Sequence, residues 1–281
     1  MHIYIYSASG AVRDAAALRR AVKRLTQRGH DVELDPDALS KDQRFAGDDA
    51  TRLLALSRAA ASGADVVMPT RGGYGFTRLM KHIPYKAIAA SIKHGSRWVG
   101  HSDCTALQMG LLAKTGAPSW AGPHACADFG ALQVDDIMQD CFDDMVQGTG
   151  EGAGWRLPPN DLLRLPKRAL LAEDAVLWGG NLSVLCSLVG SPYLPAIERG
   201  VLFLEDVAEH PYRIERMLSQ LLHAGILAGQ QAIVLGQFTD YKLTPHDKGY
   251  SLSTVVSWLR SQLKVPVLSG LPFGHVPTKL C

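Results

Sequence analysis

Short runs of β-branched and apolar residues alternate along this chain with Ala/Leu-rich stretches of helical period, and that alternation limits the fold more than any other feature. Residues 2–6 read as a strand that stops at Ser7-Ala8-Ser9-Gly10. Leu18, Val22 and Leu25 then share one helical stripe, with Arg and Lys between them, and Gly29 closes it. Residues 31–34 read as the next strand, 51–62 as a second helix ended by Gly63, and 64–68 as a short buried strand. A helix around 77–81, a strand over 97–100 and a helix from 104 to about 114 continue the rhythm. Strands alternating with helices of this size imply parallel β-α-β units.

The pattern breaks between about Gly148 and Leu171, where clustered glycines give way to Pro158, Pro159 and Pro166. Such a run favours a linker, so the expected division is 1–150, a linker over 151–171, and 172–281. Past it, 201–205 reads as an apolar strand ending in an acid. Ile214, Met217, Leu218, Leu221 and Leu222 mark an amphipathic helix, and 232–235 and 252–263 read as a further strand and helix. The working architecture is two α/β lobes, without internal repeats or low-complexity segments.

Composition excludes several classes. At 281 residues, 47% hydrophobic and 20% charged, the chain is ordinary globular material and not a disordered one. Lys+Arg 29 against Asp+Glu 27 leaves +2, with no run of like charges, so neither nucleic acid nor an anionic membrane is an expected partner. No apolar stretch approaches the ~18–20 residues of a membrane span. No basic region precedes the first apolar run, so no secretory signal is expected. Five cysteines, odd in number and without a CxxC pair, suit a reduced compartment and neither a disulfide frame nor a zinc site. The expectation is a soluble cytoplasmic protein without metal or cofactor.

The strongest chemical signal is Gly100-His101-Ser102-Asp103, set between the strand at 97–100 and the helix that follows. A serine at a sharp strand-to-helix turn is thrust out of the sheet beside the positive helix end and unpaired N–H groups, as an acyl-transfer nucleophile requires. The motif departs from GxSxG, since Thr105 stands where the second glycine would be, and a helix-capping serine fits the same spacing. Arg71-Gly72-Gly73-Tyr74-Gly75 follows the strand at 64–68. Its glycines would let backbone approach a ligand closely, or simply make a tight turn; it matches neither GxGxxG nor a P-loop. Of ten histidines, His124, His210 and His275 lie in loops, and His275 is framed by Pro272, Gly274 and Pro277. His101 adjoins the serine, but neighbours at a turn tend to point apart. Glu205 at a strand end is a candidate acid, with Asp206 and Glu209 as competitors.

With these residues in view, the chain resembles the serine L,D-carboxypeptidases, the family of cytoplasmic murein tetrapeptide carboxypeptidases and microcin C self-immunity peptidases. The likeness runs through Ser7-Ala8-Ser9-Gly10, Phe45-Ala46-Gly47-Asp48-Asp49, the glycine loop, Val99-Gly100-His101-Ser102-Asp103, Ala121-Gly122-Pro123-His124 and Gly179-Gly180-Asn181-Leu182. It continues in Leu204-Glu205-Asp206, Pro211-Tyr212-Arg213-Ile214-Glu215-Arg216-Met217-Leu218 and Pro272-Phe273-Gly274-His275. The resemblance implies an N-terminal parallel-sheet lobe bearing the nucleophile, a smaller C-terminal α/β lobe, and an active site in the cleft between them. It places a Ser-His-Glu triad on Ser102, His275 and Glu205, and oxyanion donors on the N–H groups of Gly72 (with Gly73 as the alternative) and Asp103. It also implies a murein peptide as substrate and a homodimer. Arg71 is a candidate for the substrate carboxylate, and equally an ordinary ion-pair partner.

Three features depart from the family pattern. Ala8 stands where proline more often precedes the serine, and His101 stands where tyrosine or asparagine is more usual. Family members also run on past Pro-Thr-Lys-Leu at 277–280, whereas this sequence ends at Cys281, and loss of a terminal strand there would loosen His275. The implied reaction is removal of D-alanine from a murein tetrapeptide through an acyl-enzyme. The alternatives are a peptidyl-nucleotide substrate, for which Trp178 could line an aromatic pocket, and a binding protein without turnover.

Overall fold

In a computed structural model that describes every residue except 151, 163–164 and 166–170, the chain packs as two units. The first comprises Met1–Ala153, Pro192–Pro195 and Pro277–Cys281, and the second comprises Gly154–Ser191 and Ala196–Val276. The C-terminal segment from Pro277 onward thus packs with the first unit, although it follows all of the second in sequence. The segment expected as a linker, 151–171, falls partly on residues outside the described set; its described part includes one turn of helix, Pro159–Leu162.

The first unit runs β1 (His2–Tyr6), α1 (Ala15–Gln27), β2 (Asp31–Leu34), α2 (Asp49–Ala61), β3 (Val66–Pro69), α3 (Phe76–Leu79) and α4 (Tyr85–Lys93). It continues with β4 (Arg97–Gly100), α5 (Cys104–Thr115), β5 (Trp120–Ala121) and α6 (Asp136–Gln147). Its strands form one parallel sheet, ordered β2-β1-β3-β4-β5. The inner strands are apolar because they are buried: Ile3, Ile5, Val66, Met68 and Val99 pack with Leu18 and Leu25 of α1 and with Phe129 and Phe142. β2 keeps Asp31 and Glu33 because it is the edge strand and mostly exposed. The helix expected around 77–81 is one turn, α3, and α4 begins only after Pro84, which has no N–H to extend the earlier turn.

The second unit holds α7 (Pro159–Leu162), β6 (Leu177–Asn181), α8 (Leu182–Ser187), β7 (Val201–Val207) and α9 (Pro211–His223). Next come β8 (Ala232–Thr239), α10 (Leu252–Gln262) and β9 (Val267–Ser269). Its strands are also all parallel, in the order β6-β7-β8-β9. α9 buries Ile214, Met217, Leu218 and Leu221, the stripe its sequence predicts. β7 does not stop at its acid but runs to Val207, with a register shift against β8 between Leu204 and Asp206. In both sheets the chemistry-bearing segments sit at the carboxyl ends of strands, where parallel α/β sheets present ligand sites. The glycine loop follows β3, Ser102 follows β4, His124 follows β5 and His275 follows β9; Glu205 lies near the end of β7.

Candidate active site

In the first unit, Ser102 stands between β4 and α5 with φ 61°, in the left-handed region that non-glycine residues seldom occupy. The cap position of α5 falls at Asp103, whose side chain makes no capping hydrogen bond, so Ser102 lies one residue outside the cap. The turn therefore carries its strain at the serine, beside the positive end of a helix. The glycine loop presses directly on it: a Cβ built on Gly72 would lie 2.8 Å from Ser102 Oγ and 3.2 Å from His124 Cε1. Only glycine fits there without displacing the hydroxyl.

His124 sits behind both loops. Its Nδ1 lies 3.2 Å from the Gly72 N–H, and its Nε2 lies 3.1 Å from the His101 carbonyl and 3.2 Å from the His101 N–H. A main-chain N–H only donates, so the tautomer protonated on Nε2 accepts from Gly72 and donates to the His101 carbonyl but faces the His101 N–H with a second donor. The tautomer protonated on Nδ1 accepts from the His101 N–H and loses the Gly72 contact. The His101 ring stacks on it at 3.8 Å between centroids, with Nδ1 2.9 Å from the Gly122 carbonyl. Behind His124, its own N–H donates to Asp128 Oδ2 at 2.7 Å, and Asp128 Oδ1 accepts from Lys279 Nζ at 2.6 Å in an ion pair buried on both sides. The terminal segment of the chain thus reaches the glycine loop through two side chains.

Asp103 joins the remaining loops. Its Oδ2 accepts from Ser9 Oγ at 2.5 Å and from the Phe76 N–H at 3.0 Å, which ties the turn after β1 and the end of the glycine loop to the serine turn. Burial raises its pKa, opposed by those two hydrogen bonds. Arg52 of α2, fully buried, completes the frame by donating from Nη1 to the carbonyls of Ala8 at 3.2 Å and Gly75 at 3.1 Å.

In the second unit, Glu205 and His275 form a hydrogen-bonded pair, Oε2 to Nδ1 at 2.8 Å, with the carboxylate fully buried. Glu205 Oε1 accepts from Asn181 Nδ2 at 3.2 Å, and the same amide reaches Asp206 Oδ1 at 2.9 Å. Successive residues of a regular strand face opposite ways; the register shift in β7 brings both carboxylates within reach of one side chain. Asp206 accepts from the N–H groups of Ser183 and Val207, each at 2.9 Å, so its oxygens serve the backbone and Asn181 rather than a histidine. Burial, with Glu205 beside it, pushes Asp206 up to about 6. The loop carrying His275 continues along β8, where the Gln237 N–H donates to the Phe273 carbonyl at 2.9 Å and Phe273 packs edge-on to Phe203. Gly274, at φ 141°, passes over the acid: a Cβ there would lie 3.2 Å from Glu205 Oε2.

Of the candidates drawn from sequence, Gly72, Gly73, Ser102 and Asp103 lie in the first unit, and Glu205 and His275 are paired in the second. His210 lies 3.3 Å from Asp247. The Gly72 N–H, expected to face an oxyanion, is directed at His124 instead. Trp178 is core, 2% exposed with Nε1 bonded to Gln230. Arg71 makes one hydrogen bond, from Nη1 to the Ala11 carbonyl at 3.1 Å, and no ion pair among the described residues. Spacing gave no hint of Asp128, Lys279 or Arg52, whose partners lie far away in sequence. Among the described residues no group of three or more His, Cys, Asp or Glu is placed to hold a metal ion.

Two parallel-sheet units carrying these residues at their strand ends are an α/β architecture, and the comparisons with known proteins make it that of a peptidase. The LD-carboxypeptidase N-terminal domain matches residues 3–122 and the LD-carboxypeptidase C-terminal domain matches 174–281. The chain belongs to the LD-carboxypeptidase family. The muramoyltetrapeptide carboxypeptidase from Oxalobacter formigenes superposes over 100% of this chain and 91% of its own, with TM-score 0.84 and 38% identity. A probable murein peptide carboxypeptidase of Bacillus subtilis (strain 168) is 29% identical over 263 residues, 93% of this chain and 80% of that protein. The microcin C7 self-immunity protein MccF, in complex with aspartyl sulfamoyl adenosine, is similar over 98% of this chain and 88% of its own, with TM-score 0.82 and 25% identity.

Proposed function

We propose that this protein is a serine L,D-carboxypeptidase that removes the terminal D-alanine from a murein tetrapeptide. The observation that carries the reading is the 2.8 Å bond between buried Glu205 and His275, alongside a serine held at positive φ at a helix start. Glu205 fixes the proton on His275 Nδ1 and so leaves the lone pair on Nε2. Nε2 takes the proton of Ser102 Oγ as that oxygen attacks the scissile carbonyl, and Glu205 stabilises the imidazolium formed. The oxyanion is held by main-chain N–H groups. Asp103 supplies one; of the two glycine amides, Gly73 is assigned the other, because that of Gly72 donates to His124. His275 then protonates the amine of the departing D-alanine. Water, deprotonated by the same nitrogen, resolves the acyl-enzyme.

The murein substrate is supported by the names of the Oxalobacter and Bacillus relatives. A peptidyl-nucleotide substrate has the MccF relative in its favour, but the aromatic residue that would have supported it, Trp178, is buried. The resemblance to the family also supports a cytoplasmic homodimer; no described helix is long and apolar enough to cross a membrane. The test is D-alanine release from L-Ala-γ-D-Glu-L-Lys-D-Ala by the wild type and by Ser102→Ala. The expected result is release that the substitution abolishes, with the fold unchanged by circular dichroism. Retention of more than a few per cent of the rate would remove Ser102 from its role.

A further inference from the structure

Beside the glycine loop the first unit contains a cavity of about 310 Å³ lined by Arg13, Lys41, Arg44, Arg71, Gly73 and Tyr74, among others, and by no acidic side chain. Four cations facing one hollow repel each other, and a folded chain ordinarily answers such a cluster with carboxylates. Here none of the four makes an ion pair among the described residues, although Asp14, close by in sequence, pairs with Arg20. Arg71 is the most buried of them. It is half-buried, and a Cβ built on either flanking glycine would lie within van der Waals reach of its guanidinium, 3.3 Å from Nη1 at Gly10 and 3.5 Å from Nη2 at Gly73. Its one hydrogen bond, to the Ala11 carbonyl, leaves most of its five donors for a ligand. Arg44 stands 5.6 Å over the ring of Tyr74, on the same wall.

We propose that this cavity is a subsite for the free carboxylates of an acidic peptide, so that the enzyme selects its substrate by the negative charge of the peptide stem. The proposal rests on the peptidase reading only for which peptide that is. The cavity opens next to the reacting group: Gly73 lines it, and the adjacent Gly72 lies so near Ser102 that a Cβ there would be 2.8 Å from its Oγ. A murein stem suits the chemistry, because its D-glutamate is joined through the side chain and keeps a free α-carboxylate. A diaminopimelate residue in place of lysine adds one more. Planar carboxylates are matched by guanidinium forks, and three of the four cations are arginines. Burial, with Arg13 and Arg44 close by, depresses the pKa of Arg71, as expected for a cation lacking its counter-charge.

The experiment is calorimetric titration of three tetrapeptides into Ser102→Ala protein, with and without the surface substitutions Arg13→Gln and Arg44→Gln. The peptides carry D-isoglutamine and lysine, D-glutamate and lysine, or D-glutamate and diaminopimelate, so each adds one carboxylate to the last. The expected result is a Kd that falls about tenfold per added carboxylate, and a loss of that dependence in the substituted protein. Affinity indifferent to carboxylate number, or a dependence that survives the substitutions, overturns the proposal. Adenosine monophosphate is the second probe: if its binding falls in the substituted protein while peptide binding does not, the cavity takes phosphate and the carboxylate assignment is wrong. Charge-dependent binding without D-alanine release by the wild type would sink the hydrolytic reading and leave the subsite standing.

Discussion

Glu205 Oε2 and His275 Nδ1 are 2.8 Å apart, and they meet because two local irregularities coincide. The register shift in β7 turns the acid into the layer beneath the loop after β9, and Gly274 at positive φ lets that loop pass close enough for its histidine to reach down. The acid is fully buried and also bonded to Asn181, so the imidazole has one orientation available on that side.

Glu205→Gln keeps the shape of the pair but presents an amide donor to Nδ1, favouring the wrong tautomer. We expect kcat to fall by about three to four orders of magnitude with KM changed little, as in other triads. A steady-state comparison checks this. An equal loss spread into KM would assign Glu205 to substrate binding instead.

Gly72→Ala tests the close approach to the serine. The new methyl would lie 2.8 Å from both Cβ and Oγ of Ser102, so the hydroxyl must move. The expected outcome is a kcat lowered by about a hundredfold, with a stability cost of about 1–3 kcal/mol from overpacking. Single-turnover kinetics and thermal melts report the two separately.

Lys279→Met leaves the Asp128 carboxylate buried without its cation. Breaking such a pair costs about 3–5 kcal/mol, and the loss should travel through His124 to the glycine loop as a lower kcat. In the double variant with Asp128→Asn the uncompensated charge is gone, so chemical denaturation should show a coupling of about 1–3 kcal/mol between the two sites. Additive losses would mean that the 2.6 Å contact contributes nothing.

Asp206 gives a pH signature. The folded protein holds it up to about 6, against an ordinary value near 4, so folding favours its neutral form. Between about pH 4 and 6 the unfolded chain has released this proton while the folded chain retains it. The contribution of Asp206 to stability therefore falls as pH rises through that window, by about 3 kcal/mol in all, and is flat above it. The difference in unfolding free energy between wild type and Asp206→Asn, measured from pH 4 to 8, should trace that step. A flat difference would contradict the burial-driven shift.

Much of the fold was legible because both sheets are parallel and their inner strands are continuous apolar runs, as at Val66-Val67-Met68 and Val201-Leu202-Phe203-Leu204. β6 and β9 were not: β6 contains Gly179 and Gly180 and begins at an exposed Leu177, and β9 has only three residues after Pro266. The serine turn and the histidine loop stood out because glycine and proline mark where a backbone is being aimed. The framework behind them did not. Asp128 and Lys279 meet across 151 residues, and Gly72 and His124 across 52, and such pairings follow from packing that no local spacing encodes. For the same reason the family resemblance implied Gly72, with Gly73 as the alternative, as an oxyanion donor, with no sign of the His124 ring beside the Gly72 N–H.

In the proposed mechanism Ser102 is a nucleophile activated by the Glu205–His275 pair. Intact-mass analysis after incubation with a fluorophosphonate tests it most directly. A single adduct is expected on the wild type, mapped to Ser102 by peptide sequencing. No adduct is expected on Ser102→Ala, and labelling should be slowed by orders of magnitude in His275→Ala. An unlabelled wild type, or labelling that proceeds equally fast without His275, would contradict it.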